Sequence, residues 1–286
     1  MNIKQRDLFF YLRRLAGYLL GFGLFYEPFM WFQQLTGDIF VEQGFTSIHV
    51  PCARIPLVSI ATGNWEHSGP ISFFFCLLLI VSSIWLGPFF CGRLCPSGAF
   101  SELLGSILPD KYKIDWPKYL PVMPIRMGFF TGFLFSMVMG FGLPCSYCNY
   151  YALELFVNGI VSGHLLDNAV SLMATFFLAN VILGMFTKGG RGYCVFLCPV
   201  GAACSLLHMA GQKLPGPMRM QVNTSKCIGC GKCANGCPMR AIAIEQRKAS
   251  IAISRCITCG KCSHVCPMQA ISYTSNMTKE VCSNVK

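Results

Sequence analysis

Four long apolar stretches dominate the pattern of hydrophobic and polar positions along the chain. Charged residues stand only at the borders of the last three, whereas Glu27 and Pro28 interrupt the first near its end. A helix needs about 20 apolar residues to cross the hydrocarbon core of a membrane. The pattern therefore predicts four transmembrane helices, at 15–32, 70–90, 125–143 and 166–186.

The placement of basic residues predicts how these helices are oriented. Lys and Arg cluster before the first stretch, between the second and the third, and after Lys188. The segment 33–69 contains only Arg54, and 144–165 contains none. Because cytoplasmic loops carry an excess of Lys and Arg, we expect a multi-pass protein of the inner (cytoplasmic) membrane with both termini in the cytoplasm.

Composition divides the chain into two parts. Overall, 53% of the residues are hydrophobic and 12% are charged, which is about half the charged fraction of an average soluble chain. The apolar runs stop after Lys188, and the turn 213–217 reads as a linker. We therefore expect a membrane domain at 1–212 and a second domain at 218–286. The second is too short to fold on a hydrophobic core alone, so bound metal is expected to stabilise it.

Two runs of the form Cys-x2-Cys-x2-Cys-x3-Cys-Pro occupy this second domain. In ferredoxins with such runs, three cysteines of one run and the fourth of the other bind one [4Fe-4S] cluster. The runs predict a small α+β, bacterial-type ferredoxin domain with two clusters in the reducing cytoplasm. Two zinc sites are the alternative, although zinc ribbons do not usually repeat a Cys-Pro fourth ligand in this register. The expected ligands are Cys227, Cys230, Cys233 and Cys266 for one cluster, and Cys256, Cys259, Cys262 and Cys237 for the other.

The predicted ferredoxin domain is basic. From Arg219 onward it has ten Lys and Arg residues against two acidic ones, Glu245 and Glu280. Such a surface either lies against anionic membrane lipid or docks an acidic redox partner.

An internal repeat joins the ends of the second and fourth apolar stretches. The segment 91–104 matches 194–207 at eight positions with a constant offset, and each copy contains a Cys-x3-Cys-Pro motif. Membrane proteins commonly place a shared site between such repeats, so we expect two duplicated helical hairpins whose thiols bind a third cluster. A redox-active thiol pair and small structural residues at a tight turn are the alternatives. The cysteines concerned are Cys91, Cys95, Cys194 and Cys198.

Together, the four apolar stretches, the two Cys-x3-Cys-Pro motifs and the pair of ferredoxin runs resemble the ferredoxin-type quinol dehydrogenases, the NapH-like and NosR-like membrane 4Fe-4S proteins. The resemblance covers most of the chain. It implies electron exchange between the quinone pool and a periplasmic partner, such as a cytochrome c or an iron-sulfur subunit of a multi-subunit complex.

The predicted outer loops hold three further cysteines, Cys52, Cys145 and Cys148. In an oxidising compartment they are expected to form a disulfide or to stay unreactive, and an outer cluster that relays electrons across the bilayer is the alternative.

Quinol oxidation also needs a proton acceptor near the membrane, where ionisable residues are functional candidates. Glu27 is the candidate quinone proton group, with a water-exposed carboxylate as its alternative.

The sequence as a whole favours an inner-membrane iron-sulfur subunit that passes electrons between the quinone pool and a periplasmic or membrane redox partner, as a quinol dehydrogenase or part of an oxidoreductase complex. The alternatives are an assembly factor that delivers electrons to a client metalloenzyme and a structural anchor for soluble subunits. No glycine-rich nucleotide motif and no Cys-x2-Cys-His haem attachment site occur. Lipid and quinone are expected to interact with the protein, and nucleic acid is not.

Overall fold

The computed structural model describes residues 3–25, 56, 59–60, 63, 70–139, 147–162 and 170–275. Helices make up most of the described chain before residue 212, and short strands and helices form the segment 218–275. A 3₁₀ turn, Asp110–Tyr112, and a π-helix, Phe177–Met185, interrupt the regular helices. The regular helices are α1 (Ile3–Phe25), α2 (Pro70–Trp85), α3 (Phe89–Arg93), α4 (Pro96–Ile107), α5 (Trp116–Tyr119), α6 (Val122–Val138), α7 (Asn149–Ser162), α8 (Val170–Phe176), α9 (Gly192–Phe196) and α10 (Pro199–Gly211).

Two helical hairpins carry the repeated motif. The first hairpin consists of α2, α3 and α4, and the second consists of α8 with the π-helix, then α9 and α10. In each, a five-residue helix ends just before the second cysteine of the motif, and the next helix begins at Pro96 or Pro199. Proline is favourable at a first helical position because its missing N–H would have no partner there.

The hairpins exchange their packing partners. Helix α4 of the first hairpin packs against the π-helix of the second, and α10 of the second packs against α2 of the first. Glycines make the close approach possible: a Cβ on Gly211 would lie 2.5 Å from the carbonyl oxygen of Ile84, and one on Gly105 would lie 2.7 Å from Gly190 Cα. This reciprocal arrangement is what two copies of one unit produce when they pair.

The segment 218–275 forms a compact C-terminal unit. Two antiparallel pairs, β1 with β4 and β2 with β3, flank two one-turn helices. The turn between β2 and β3 is Gln246-Arg247, with φ of 47° and 59°, as in the type I′ turns that suit two-residue hairpins. The elements are β1 (Arg219–Val222), α11 (Lys232–Asn235), β2 (Ile242–Glu245), β3 (Lys248–Ile251), α12 (Lys261–Val265) and β4 (Ile271–Thr274).

The predicted membrane-spanning four-helix bundle is wrong, because no helix in the described ranges is both long and apolar enough to cross a membrane. The stretch 70–90 is typical: α2 has 16 residues, which rise about 24 Å against a hydrocarbon core of about 30 Å. Gly87, with φ of +71°, then turns the chain into α3. The same finding overturns the inner-membrane, multi-pass location with cytoplasmic termini that was expected from these helices.

The other predicted spans are also interrupted. In 125–143, helix α6 has 17 residues and contains the buried Arg126. In 166–186, the described part is a seven-residue α-helix followed by nine residues of π-helix. The first predicted span, 15–32, begins inside α1, whose amino-terminal half contains charged residues. Residues 26–32 of this span lie outside the described residues.

Candidate metal centres

The first cysteine run and the last cysteine of the second run line one cavity of the C-terminal unit, here called the first cavity. It encloses about 340 Å³ of empty space, part of it open to solvent. Gly229 and Gly231 bend the loop around it with φ of +70° and +74°, conformations that residues with a side chain rarely adopt. The cysteines that line the first cavity are Cys227, Cys230, Cys233 and Cys266.

A second cavity of similar volume, about 340 Å³, lies at the other run. Its loop follows the same backbone path. Thr258, with φ of 49°, takes the position that Gly229 has in the first loop, and Gly260, with φ of +77°, takes that of Gly231. A β-branched residue with positive φ is an outlier, so the second loop is strained where the first is not. The cysteines that line the second cavity are Cys237, Cys256, Cys259 and Cys262.

Both cavities fit a [4Fe-4S] cluster in their donor sets and their surroundings. Each presents four thiols, and the residue four positions after the exchanged cysteine donates its N–H to that sulfur: Ala241 to Cys237 Sγ and Ala270 to Cys266 Sγ, both at 3.3 Å. Such N–H groups stabilise thiolates and tune the metal that they bind. Within the described ranges, no three His, Cys, Asp or Glu side chains converge on a single metal ion.

Burial favours the protonated thiol at two cysteines of the second cavity when no metal is bound. It raises the pKa of Cys256 to about 12 and that of Cys237 to about 11. Because iron binds thiolates, loading this cavity must release protons to the solvent.

The repeated motifs bring Cys91, Cys95, Cys194 and Cys198 together between the two hairpins, and these four are called the hairpin thiols below. Cys95 and Cys198 are the N-cap residues of α4 and α10. Cys198 Sγ accepts a hydrogen bond from the N–H of Gly201 at 3.3 Å, whereas Cys95 makes no such side-chain cap bond at the start of α4. Helix N-termini favour thiolate there.

The hairpin thiols influence one another's ionisation. Burial, then the neighbouring Cys91 and Cys194, raise the pKa of Cys95 to about 12. The pKa of Cys198 is raised by burial and by the other three thiols. All four therefore lie within electrostatic reach of one another in a poorly hydrated site, and the structure brings together the set that the repeat predicts.

Two buried arginines flank the hairpin thiols, each beside the glycine of one motif. A Cβ on Gly98 would lie 2.5 Å from Arg191 Nη1, and one on Gly201 would lie 3.0 Å from Arg126 Nη2. Both side chains belong to residues that are 1% exposed. Arg191 Nη1 donates to the carbonyl oxygen of Cys91 at 2.8 Å, so it also holds the first motif in place.

Arg126 fits an anionic group among the thiols. Its Nη1 donates to the carbonyl oxygen of Ser254 at 3.0 Å, but Nε and Nη2 have no hydrogen-bond partner among the described residues. A buried charge with two unsatisfied donors is costly. An iron-sulfur cluster held by four thiolates is anionic, so the guanidinium and the thiols together suit such a group.

The second cavity lies directly against the hairpin thiols. A Cβ on Gly92, next to Cys91, would lie 2.0 Å from the carbonyl oxygen of Ile257 and 3.2 Å from Cys259 N. Ile257 is 4% exposed and belongs to a hydrophobic cluster that also contacts Cys91 and Cys194. Only glycine permits this approach of the two backbones.

Thr258 adds hydrogen bonds across the same contact. Its Oγ1 donates to the carbonyl oxygen of Leu86 at 3.4 Å, and Arg93 Nη2 donates to its carbonyl oxygen at 3.5 Å. The strained residue of the second loop is therefore held by the turn after α2 and by the last residue of α3.

A carboxylate in α4 joins three parts of the molecule. Glu102 accepts hydrogen bonds from Arg191 Nε at 3.0 Å, Arg14 Nη2 at 3.1 Å and Lys261 Nζ at 3.4 Å. Burial alone would raise its pKa, but these cations hold it at about 2. The network fixes α1, both hairpins and the second cysteine run to one another.

Comparison with known proteins identifies the domains around these cysteines. The segment 219–267 matches the family described as a 4Fe-4S dicluster domain. The C-terminal unit is a 4Fe-4S dicluster ferredoxin domain. Two further segments, 68–115 and 171–217, each match the family described as a 4Fe-4S binding domain. These are the two hairpins, so both parts of the protein contain domains of iron-sulfur families.

The chain has distant relatives in a bacterium and an archaeon. It is 27% identical over 187 residues to "Putative electron transport protein YccM" of Escherichia coli. The aligned region covers 64% of this chain and 50% of YccM. It is 27% identical over 167 residues to "Uncharacterized protein MJ0749" of Methanocaldococcus jannaschii, or 57% of this chain and 56% of that protein. "Uncharacterized protein MJ0750" of the same organism is 25% identical over 167 residues, with coverages of 57% and 64%.

These relatives are longer than the shared region, since the chain spans only about half to two thirds of their lengths. No solved structure matches the chain. The likenesses support iron-sulfur electron transfer in general, and they do not single out the NapH-like and NosR-like quinol dehydrogenases.

Sequence reasoning missed several residues around the hairpin thiols. The thiol of Cys204 is fully buried and hydrogen-bonds Cys91. This hydrogen bond and burial both raise the pKa of Cys91. The constant repeat offset aligns Cys204 with Ser101, so the alignment contained this signal. Glu102 could also have been noticed, because it is the single acidic residue of 70–107. For Arg191 we find no signal in the sequence.

The remaining predicted site residues are not brought into one group. Cys52, Cys145 and Glu27 lie outside the described residues. Cys148 lies just before α7, near the buried Tyr193, whose pKa is raised by burial and by the thiols of Cys198 and Cys148. The outer cluster and the quinone proton group therefore stay predictions.

Proposed function

We propose that this protein transfers single electrons through three [4Fe-4S] clusters, two in the dicluster domain and a third held by the hairpin thiols. The observation that carries the proposal is that four buried thiols, from two 4Fe-4S binding domains, lie within electrostatic reach of one another beside a buried guanidinium with two unsatisfied donors. The clusters would supply one-electron storage. The chain's own residues set their order, spacing and electrostatic environment.

The order follows from the contacts of the second cavity. Within the dicluster domain, cysteines of both cavities pack into one hydrophobic cluster that includes Cys233 and Cys262. On its other side, the second cavity meets the hairpin thiols at the contact of Gly92 with Ile257 and Cys259. Because electron tunnelling falls steeply with distance, this direct packing favours transfer along the sequence first cavity, second cavity, hairpin thiols.

The buried arginines have a specific role in this proposal. Four thiolates and an iron-sulfur core carry net negative charge, which is costly in a site without water. Arg126 and Arg191 offset that charge, and the N–H of Gly201 donates to the sulfur of Cys198 at the N-terminus of α10.

Iron counting tests the third centre. After anaerobic reconstitution, the protein is expected to hold about twelve irons, since each [4Fe-4S] cluster contains four. The substitution Cys198→Ser should lower the count by about four and remove one paramagnetic signal on reduction, while the dicluster signals stay. The matched control is Cys76→Ser in α2, a buried cysteine outside all three thiol sets.

The third centre is refuted if the wild-type protein holds about eight irons or if Cys198→Ser changes neither iron nor spectrum. Loss of all clusters in Cys198→Ser but not in Cys76→Ser would show that the hairpin thiols are needed for folding, and Arg126→Gln then decides. That variant keeps every thiol, and a shifted potential of one cluster is expected from it.

The same reconstituted protein tests the electron donor. A quinol donor, which the resemblance to quinol dehydrogenases implies, is expected to reduce the clusters when a water-soluble quinol is added anaerobically. If dithionite reduces the clusters and the quinol does not, a protein donor or a role as an electron-delivering assembly factor is favoured instead.

A further inference from the structure

The first cavity differs from the second in having an apolar rim at the surface. Ile228, Met268 and Ile244 line the first cavity and are 59%, 45% and 37% exposed. Cys230 is itself exposed. In the second cavity, by contrast, the lining residues Met239 and Ile257 are 1% and 4% exposed. Of the two cavities, the first therefore lies at the surface, where another protein can approach it.

Basic residues surround this apolar rim. Lys226, Lys232, Arg247 and Lys248 are exposed. Glu245 is the single acidic residue of the segment 219–275. Little negative charge therefore offsets the positive charge of these Lys and Arg side chains.

The basic residues are held close to the cavity by the backbone. A Cβ on Gly229 would lie 2.4 Å from the carbonyl oxygen of Arg247, so the β2–β3 turn touches the cysteine loop. Lys248 Nζ donates to the carbonyl oxygen of Cys227 at 2.9 Å. Lys232 begins α11 directly after Gly231. The charges therefore belong to the same loop and hairpin that enclose the first cavity.

We propose that the apolar rim of Ile228, Ile244 and Met268, with its ring of Lys and Arg, docks an acidic one-electron carrier protein. This inference rests on the proposed function and names its partner. An apolar centre with a charged rim is the usual anatomy of a protein interface, and opposite charges speed encounter and set orientation. Weak redox encounters use small contact areas, which suits a rim of three side chains.

Binding to carriers of known charge tests the docking site. The reconstituted protein is immobilised, and its affinity is measured for two unrelated acidic carriers, a flavodoxin and a plant-type [2Fe-2S] ferredoxin. The basic carrier cytochrome c is the matched control. Both acidic carriers should bind at low ionic strength and lose about tenfold or more in affinity at high ionic strength, and cytochrome c should not bind.

Charge reversal locates the site. Lys232→Glu combined with Arg247→Glu should weaken binding of both acidic carriers about tenfold and slow cluster reduction by reduced flavodoxin equally. Lys213→Glu, at an exposed position in the turn after α10, makes the same kind of charge change away from the first cavity and should leave both values unchanged. Cluster absorption and reduction by dithionite should be the same in all variants.

The outcomes separate this inference from the proposed function. If no clusters form in the wild-type protein, the proposed function fails and the docking site fails with it. If dithionite reduces the clusters but carrier binding is independent of salt and of the charge reversal, the docking site alone is overturned. Binding to vesicles of phosphatidylglycerol that the charge reversal abolishes, without carrier binding, would replace the protein partner by a lipid surface.

Discussion

The two cysteine runs of the dicluster domain are nearly the same in sequence but lie in different surroundings. Lys232 of the first run is exposed beside the open cavity, whereas the equivalent Lys261 pairs with Glu102 of α4. Gly229 adopts its positive φ freely, whereas Thr258 in the equivalent position is strained and fully buried.

A third pair of positions shows the same contrast. Asn235 of the first run is exposed, whereas the equivalent His264 stacks on Phe10 of α1 with ring centroids 4.1 Å apart and contacts Asp7 at 2.9 Å. The difference teaches that the motif specifies a four-thiol cavity, and that Thr258 and His264, where the second run differs from the first, hold its cavity against the rest of the protein.

The largest expected effect comes from removing the charge that anchors the second run. Glu102→Gln leaves Arg191 buried without its carboxylate partner, and we expect a loss of about 3 kcal/mol in the free energy of unfolding. The exposed Glu245→Gln near the first run should cost almost nothing. Urea unfolding of the reconstituted proteins measures both, and equal midpoints would show that the network does not stabilise the contact.

The same carboxylate predicts how stability depends on pH. Its pKa is about 2 in the folded protein and 4.5 for an unpaired glutamate carboxyl group, so the folded state favours the ionised form. The stability that it contributes is complete above about pH 4.5 and is lost as the pH falls towards 2. Glu102→Gln should flatten this part of the profile, and an unchanged acid limb would contradict the assignment.

A smaller effect is expected from widening the contact between the second cavity and the hairpin thiols. Gly92→Ala puts a Cβ 2.0 Å from the carbonyl oxygen of Ile257, and such overpacking costs about 2 kcal/mol. It should also weaken the magnetic coupling between the clusters on the two sides. Gly128→Ala in α6, where a Cβ meets nothing within 4 Å, is the control and should be neutral or stabilising. Identical coupling and stability in the two variants would rule out this contact as the junction.

The last comparison exchanges the residues at the two left-handed positions, and its smaller effect is expected from Thr258→Gly. Gly229→Thr brings a side chain to φ +70° and towards the carbonyl oxygen of Arg247, at a cost of about 2 kcal/mol. Thr258→Gly relieves backbone strain but removes the hydrogen bond to Leu86, so its net change should stay within about 1 kcal/mol. Thermal unfolding compares them, and a larger loss in Thr258→Gly would reverse the interpretation of the strain.

The cysteine sets could be assigned from the sequence because spacing along a short loop restricts which sulfurs face one space. The structure gathers the predicted sets around two cavities, and their role as cluster ligands stays a prediction. The hairpin thiols could be grouped only through the repeat, since the motif pairs 91–95 and 194–198 are far apart in the chain. Their arginine neighbours come from other segments, and no local pattern points to them.

The membrane prediction failed because hydropathy reports composition and not where a helix ends. In 70–90 the apolar run continues through Leu86, Gly87 and Pro88, yet Gly87 turns the backbone and divides the run into α2 and α3. Arg126 stands at the border of the apolar stretch 125–143, whereas the structure buries it inside α6.

The exchanged packing of the hairpins makes each of them incomplete without the other. Each hairpin supplies two of the four thiols and packs its last helix on the other hairpin, so a single copy has half a binding site and an uncovered helix face. One hairpin alone could complete the four-thiol set only by pairing with a second copy of itself, as in a symmetric homodimer. Expressing the two halves as separate chains should restore function only when both are present together.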